Sequence, residues 1–129
     1  MAATLKYGTN KAAIINYPIT EKSIWKLRID SVKTNIGIGV CNQNDIYSKN
    51  LIVNTYSGIP FKKNDIVSIR VEVNAMNKAT VQFFCGNWDL GISSKGLDIP
   101  LYPYIVFASI NDKVTTLDEE VFKYSDDDN

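Results

Sequence analysis

Alternation of apolar and polar side chains is the dominant signal in this chain. From Ile66 onward, Val67, Ile69, Val71 and Val73 fall on one side of an extended backbone, with Ser68, Arg70, Glu72 and Asn74 on the other. A half-buried strand is predicted there. After the polar connection at 75–79, a second strand over 80–85 sends Val81 and Phe83 toward the same core. Gly86 and Asn87 then turn the chain, because glycine takes positive φ at little cost, and Trp88 is left near the tip. Upstream, residues 23–30 alternate again: Trp25, Leu27 and Ile29 face a core while Lys26, Arg28 and Asp30 face water. In 35–41, Gly37 and Gly39 stand between Ile36, Ile38 and Val40, which permits close approach by another backbone or a bulky side chain.

Weaker strand signals complete the set. Residues 12–15 form a short apolar run closed by Tyr17-Pro18, since proline keeps its predecessor out of helical space. Residues 104–108 are apolar on both faces, as a central covered strand would be, and 114–117 form a last candidate. The stretch 42–60 is the longest irregular segment, with a short strand expected around 51–53. No window of a dozen residues carries a helical stripe, and 118–124 is the one place where a short turn of helix would fit. Many short strands separated by turn residues predict an all-β fold, an antiparallel sandwich of two packed sheets. Trp25 and Phe83, in phase with aliphatic neighbours, belong to its core.

Bulk properties narrow the function. With 129 residues the chain is expected to form one domain over 1–129, with a solvated acidic tail at about 125–129. Fourteen basic residues balance fourteen acidic ones, so no global field draws the protein to nucleic acid or an anionic membrane. No apolar run approaches the ~20 residues that span a bilayer. The first six residues lack the apolar centre of a secretion signal, and Cys41 and Cys85 fall among strand residues as buried thiols, so a cytoplasmic location is expected.

Catalytic chemistry is poorly supplied. The chain has no histidine, which removes Ser-His-Asp and Cys-His nucleophiles and histidine-bearing metal sites. Gly37-Ile38-Gly39 is a fragment of a dinucleotide fingerprint placed inside a strand, and the acids at 118–120 form a solvated acidic face. Neither an enzyme nor a bound cofactor or metal is expected.

The order of these pieces resembles the SPRY domain family. Ser23-Ile24-Trp25-Lys26-Leu27-Arg28-Ile29 is similar to its early tryptophan strand, and Gly37-Ile38-Gly39-Val40 to the strand that follows. Residues 63–69 resemble its Gly-Asp strand start, with Asn64 where glycine is usual. Residues 80–84 match the strand ending in paired aromatics, Leu90-Gly91 the close of the hairpin, and Pro100-Leu101-Tyr102-Pro103 the element before the last core strands. The resemblance runs from about Ile14 to Leu117. Two departures stand out: the family's frequent Asn-Gly turn is Gly86-Asn87 here, and the N-terminal extension of longer variants is short or missing, which would leave a sheet edge open.

This resemblance implies a compact β-sandwich that acts as a protein-interaction module or adaptor, docking a peptide or protein partner on loops at one edge, including 42–58 here. The candidate binding residues are Tyr47, Asn50 and Tyr56 in that segment, with Trp88, Asp89 and Tyr102. Tryptophan and tyrosine recur at interface hot spots. The protein is expected to work as a monomer on a protein or peptide partner, with no nucleic acid and no membrane. A glycan-binding lectin is the alternative, with Trp88 stacked on a sugar ring and Asn87 and Asp89 on its hydroxyls.

Overall fold

The computed structural model describes residues 2–7, 11–42, 51–53, 55–56, 59–117 and 122–123. Among them there are thirteen strands and no helix: β1 Ala2–Tyr7, β2 Lys11–Ile14, β3 Ser23–Ser31, β4 Ile36–Asn42, β5 Leu51–Val53, β6 Thr55–Tyr56, β7 Ile59–Pro60, β8 Ile66–Val73, β9 Lys78–Cys85, β10 Trp88–Asp98, β11 Leu101–Phe107, β12 Asp112–Leu117 and β13 Phe122–Lys123. All pairs are antiparallel. A seven-stranded sheet runs β1-β12-β3-β8-β9-β10, with β13 also on β3, and a four-stranded sheet runs β2-β11-β4-β5. Strands β6 and β7 form a separate ribbon.

The register turns the sequence alternation into one core. Trp25 lies across from Ile69 and Ile69 across from Phe83, while Leu27, Val67 and Cys85 form the next row. On the facing sheet, Ile36, Ile38 and Val40 lie across from Phe107, Ile105 and Pro103. These side chains are buried, and with Phe61, Val71, Val81, Leu101 and Val114 they fill the space between the layers. Gly39 stands opposite Tyr104 and Gly37 opposite Val106, so the bulky residues of β11 lie beside glycines on that face of the pair.

Three turns show why particular residues occur at the strand ends. Asn64, at φ 75°, takes the left-handed conformation that makes glycine the common choice at such a corner, and asparagine is among the few side chains that tolerate it. The corner is locked onto β3: Ile29 N donates to Asp65 O at 2.8 Å and Asn64 N to Ile29 O at 2.7 Å. In the two-residue loop between β9 and β10 the positive φ falls on Gly86, at 58°, which places glycine first, as in a type II′ hairpin. Buried Asp112 accepts from Lys33 N and Ser109 N at 3.0 Å each and fastens the β11–β12 turn to the end of β3. On the outer face, Asp30 accepts from Arg28 Nε at 2.7 Å and from the Thr115 hydroxyl, which ties β3 to β12. Burial alone would push the Asp30 carboxyl up, but those two hydrogen bonds and the charges of Arg28 and Lys113 outweigh it and hold the group below its ordinary value.

The sandwich and its core strands agree with the sequence reading, and three elements differ. Strand β1 pairs with β12 along its whole length, so the short N-terminal segment covers the edge expected to be open. Strand β10 was hidden because its ladder is broken twice, between Asp89 and Ser93 and between Ser94 and Leu97, with Gly91 and Gly96 at positive φ. Within 118–124, the place for a short helical turn, the described residues Phe122 and Lys123 pair instead with Ile24 and Ser23. The open positions of β3 beside those residues favour strand addition over an isolated helical turn. The acidic tail at 125–129 lies outside the described residues.

Phe83 is fully buried between the sheets, on the inward face of β9, whereas Met76 is 79% exposed in the β8–β9 turn. Phe83→Ala should therefore cost about 3–5 kcal/mol in urea unfolding, and Met76→Ala less than about 0.5 kcal/mol.

Candidate functional site

Four large apolar side chains are exposed among the described residues: Tyr17, Met76, Trp88 and Ile110. Trp88 differs from the others in its setting. It opens β10, the edge strand of the seven-stranded sheet, directly after the Gly86-Asn87 turn, and is 68% exposed. Pairing with Cys85 puts it on the inward-facing side of that sheet, past the end of the core, where it borders a hollow of about 330 Å³ with Lys62, Asn64, Asp65, Ile66, Cys85 and Gly86. Tyr17, by contrast, meets the buried Trp25 edge-on, ring centroids 4.9 Å apart.

The floor of the hollow is rigid for stated reasons. Gly86 N donates to Ile66 O at 2.9 Å, fixing the hairpin turn to the start of β8. Lys62 N donates to Asp65 Oδ2 at 2.9 Å and Asp65 N to Lys62 O at 3.1 Å, which closes the turn that forms the opposite wall. Cys85 lies at the bottom. Burial pushes its thiol up from 9.0 to about 11, helped by the charge and hydrogen bond of Asp65, with Lys62 acting the other way. The thiol is thus neutral over the physiological range and serves as an apolar lining atom rather than a nucleophile.

The structure separates the residues that the sequence grouped. Asp89 follows Trp88 but pairs with Phe84, so its side chain leaves on the outer face, where Oδ1 accepts Gly91 N at 2.8 Å. Its carboxylate thus supports the bulged start of β10. Tyr102 belongs to the other sheet, across from Cys41, and is half-buried. It comes four residues after Asp98, the end of β10 that pairs with Lys78, and that end is roughly 23 Å from Trp88 along β9 at ~3.3 Å per residue. Tyr104, two residues further along β11, is buried. Tyr56 lies in β6, paired with Ile59. Tyr47 and Asn50 fall outside the described residues. Sequence reasoning missed Lys62, Asn64 and Asp65 as neighbours of Trp88. The signal available was Asn64-Asp65, a pair that favours a tight turn at a strand end.

No protein-family model matches the sequence, and no curated protein does either. Solved structures do. A crystal structure of a human SPRY domain superposes with a TM-score of 0.62, at 18% sequence identity, over 88% of this chain and 89% of that one. The chain has a SPRY-like fold. In this SPRY-like sandwich, Asn64 holds with a positive φ the corner where the family's glycine is usual, and Gly86-Asn87 replaces an Asn-Gly turn by putting glycine first.

Neutral thiol is favoured in the folded state, so Cys85 contributes stability that is fully present below pH about 9 and is lost as pH rises toward about 11. In a Cys41→Ser background, iodoacetamide should label folded Cys85 slowly at pH 8 and faster as pH approaches about 11. Asp65→Asn should move that inflection to lower pH, as mass spectrometry of the alkylated protein would record.

Proposed function

We propose that this chain is a non-catalytic interaction module that grips a short segment of a partner protein at the Trp88 end of its sandwich. The observation that carries the reading is an indole 68% exposed beside a hollow whose walls are pinned by backbone hydrogen bonds. Leaving an indole in water wastes the burial of a large ring, and that burial becomes available when a partner covers it. Because the turn at Gly86 and the corner at Asn64 are already ordered, association incurs little further loss of backbone freedom. The fold shared with a SPRY domain is consistent with such a role, since function resides in the surface a sandwich presents and not in its core.

The lectin reading needs Trp88, Asn87 and Asp89 to converge on one sugar. Strand alternation sends Trp88 and Asp89 to opposite faces, and the Asp89 carboxylate already holds Gly91 N, so that arrangement lacks its acid. A glycan array with no selective binding is the expected result.

Trp88→Ala should weaken capture of the partner from cell extract by about 30-fold or more, the loss of a typical hot spot of about 2 kcal/mol. The melting temperature should stay nearly unchanged, because Trp88 contributes little to the core. Capture at wild-type strength by folded Trp88→Ala would reject this surface.

A further inference from the structure

The hollow beside Trp88 has two unlike walls. One is the indole, and the other is the 61–65 turn, which brings Lys62, Asn64 and Asp65 to it. The Asp65 carboxylate is already engaged, accepting Lys62 N at 2.9 Å and the Cys85 thiol on the floor. By contrast, the Lys62 ammonium and the Asn64 amide make no hydrogen bond or ion pair among the described residues, and neither does the exposed ammonium of Lys63 between them. The Lys62 charge is felt within the hollow, because it acts on the Cys85 thiol.

Nearby acids are turned elsewhere. Asp89 leaves on the outer face and holds Gly91 N, while Asp112 is buried and holds Lys33 N and Ser109 N. The stretch 54–60 that leads into the turn contains no acid. The acids at 118–120 lie in sequence between Leu117 and Phe122, and Phe122 pairs with Ile24 toward the other end of β3 from Ile29, the residue bonded to Asn64 and Asp65. Lys62 and Asp65 cancel in formal charge, so Lys63 leaves this wall with a surplus of one positive charge and with donors to spare. A single carboxylate matches that surplus, and a partner that covers the indole also removes the water that would screen the pairing.

We propose that the partner segment is acidic: an apolar anchor covers Trp88, and a carboxylate two residues along the segment meets the Lys62 ammonium and the Asn64 amide. A hollow of about 330 Å³ is about 7 Å across, the separation of two side chains on the same face of an extended strand. The spacing is therefore anchor, any residue, then aspartate or glutamate. This inference rests on the Trp88 reading above.

The test selects random peptides of about twelve residues, displayed on phage, against the folded protein and titrates synthetic copies of the enriched sequences. Expected are peptides with an acid two residues from an apolar anchor. Each should bind about 5-fold or more weakly to Lys62→Gln, and equally weakly to wild type once its acid is replaced with the amide. Lys62→Glu should recover binding of the peptide whose acid is replaced by lysine, which a merely structural Lys62 would not do. Peptides lost with Trp88→Ala that carry no such acid, or that ignore Lys62→Gln, overturn this inference and leave the Trp88 reading standing. Tighter binding when phosphoserine replaces the acid also overturns it, since a dianion exceeds the single surplus charge. Peptides indifferent to Trp88→Ala, or no enrichment at all, overturn both.

Discussion

What the large sheet presents on its outer face follows from the register of β3, β8 and β9. Side chains alternate with period two along a strand, so a slip of one residue in any of the three would send Trp25, Ile69 or Phe83 into water and bring Lys26, Arg70 or Phe84 into the core. Burial of one face therefore dictates what the other presents. The row Lys26, Ser68, Phe84 exists because the rows on either side of it belong to the core. The opposite faces taken by Trp88 and Asp89 are the same constraint carried one strand further.

Strand ends are held by backbone geometry together with carboxylates that accept backbone N–H groups. Asn64 and Gly86 each occupy a left-handed conformation, and each is hydrogen-bonded or adjacent to a group of a neighbouring strand. These corners bring the 61–65 turn and the β9–β10 turn together around Trp88. An exposed indole on a fixed platform is a different object from one on a loop, because its orientation is already selected when a partner arrives. The likeness to a human SPRY domain, at 18% identity, reflects the same architecture.

The core was legible because its rule is local. Trp25, Leu27, Ile29, Val67, Ile69, Val71, Val81 and Phe83 can be placed from their alternation, and the turn at Gly86 from glycine's freedom. Strand β1 was obscure because Ala2, Ala3 and Thr4 carry little hydrophobic contrast, and it forms a ladder only by pairing with β12, more than a hundred residues away in sequence. Strand β10 was obscure because its two irregularities reset the alternation within eleven residues. Of the proposed binding residues, Trp88 could be found from its turn, whereas its separation from Tyr102 could not, since that depends on which sheet each strand joins.

Sequence by itself determined the fold class, the inward residues of the central strands, the lack of histidine chemistry and the place of Trp88 at a hairpin turn, because each depends on neighbours within a few positions. Tertiary structure decided which strands are adjacent. That placed Lys62 and Asp65 beside Trp88, set Lys26 diagonally from Arg70, and moved Tyr102 to the other layer. The physical reason is that an antiparallel sheet joins residues by hydrogen bonds between distant segments, and the pattern along one strand carries no record of its partner.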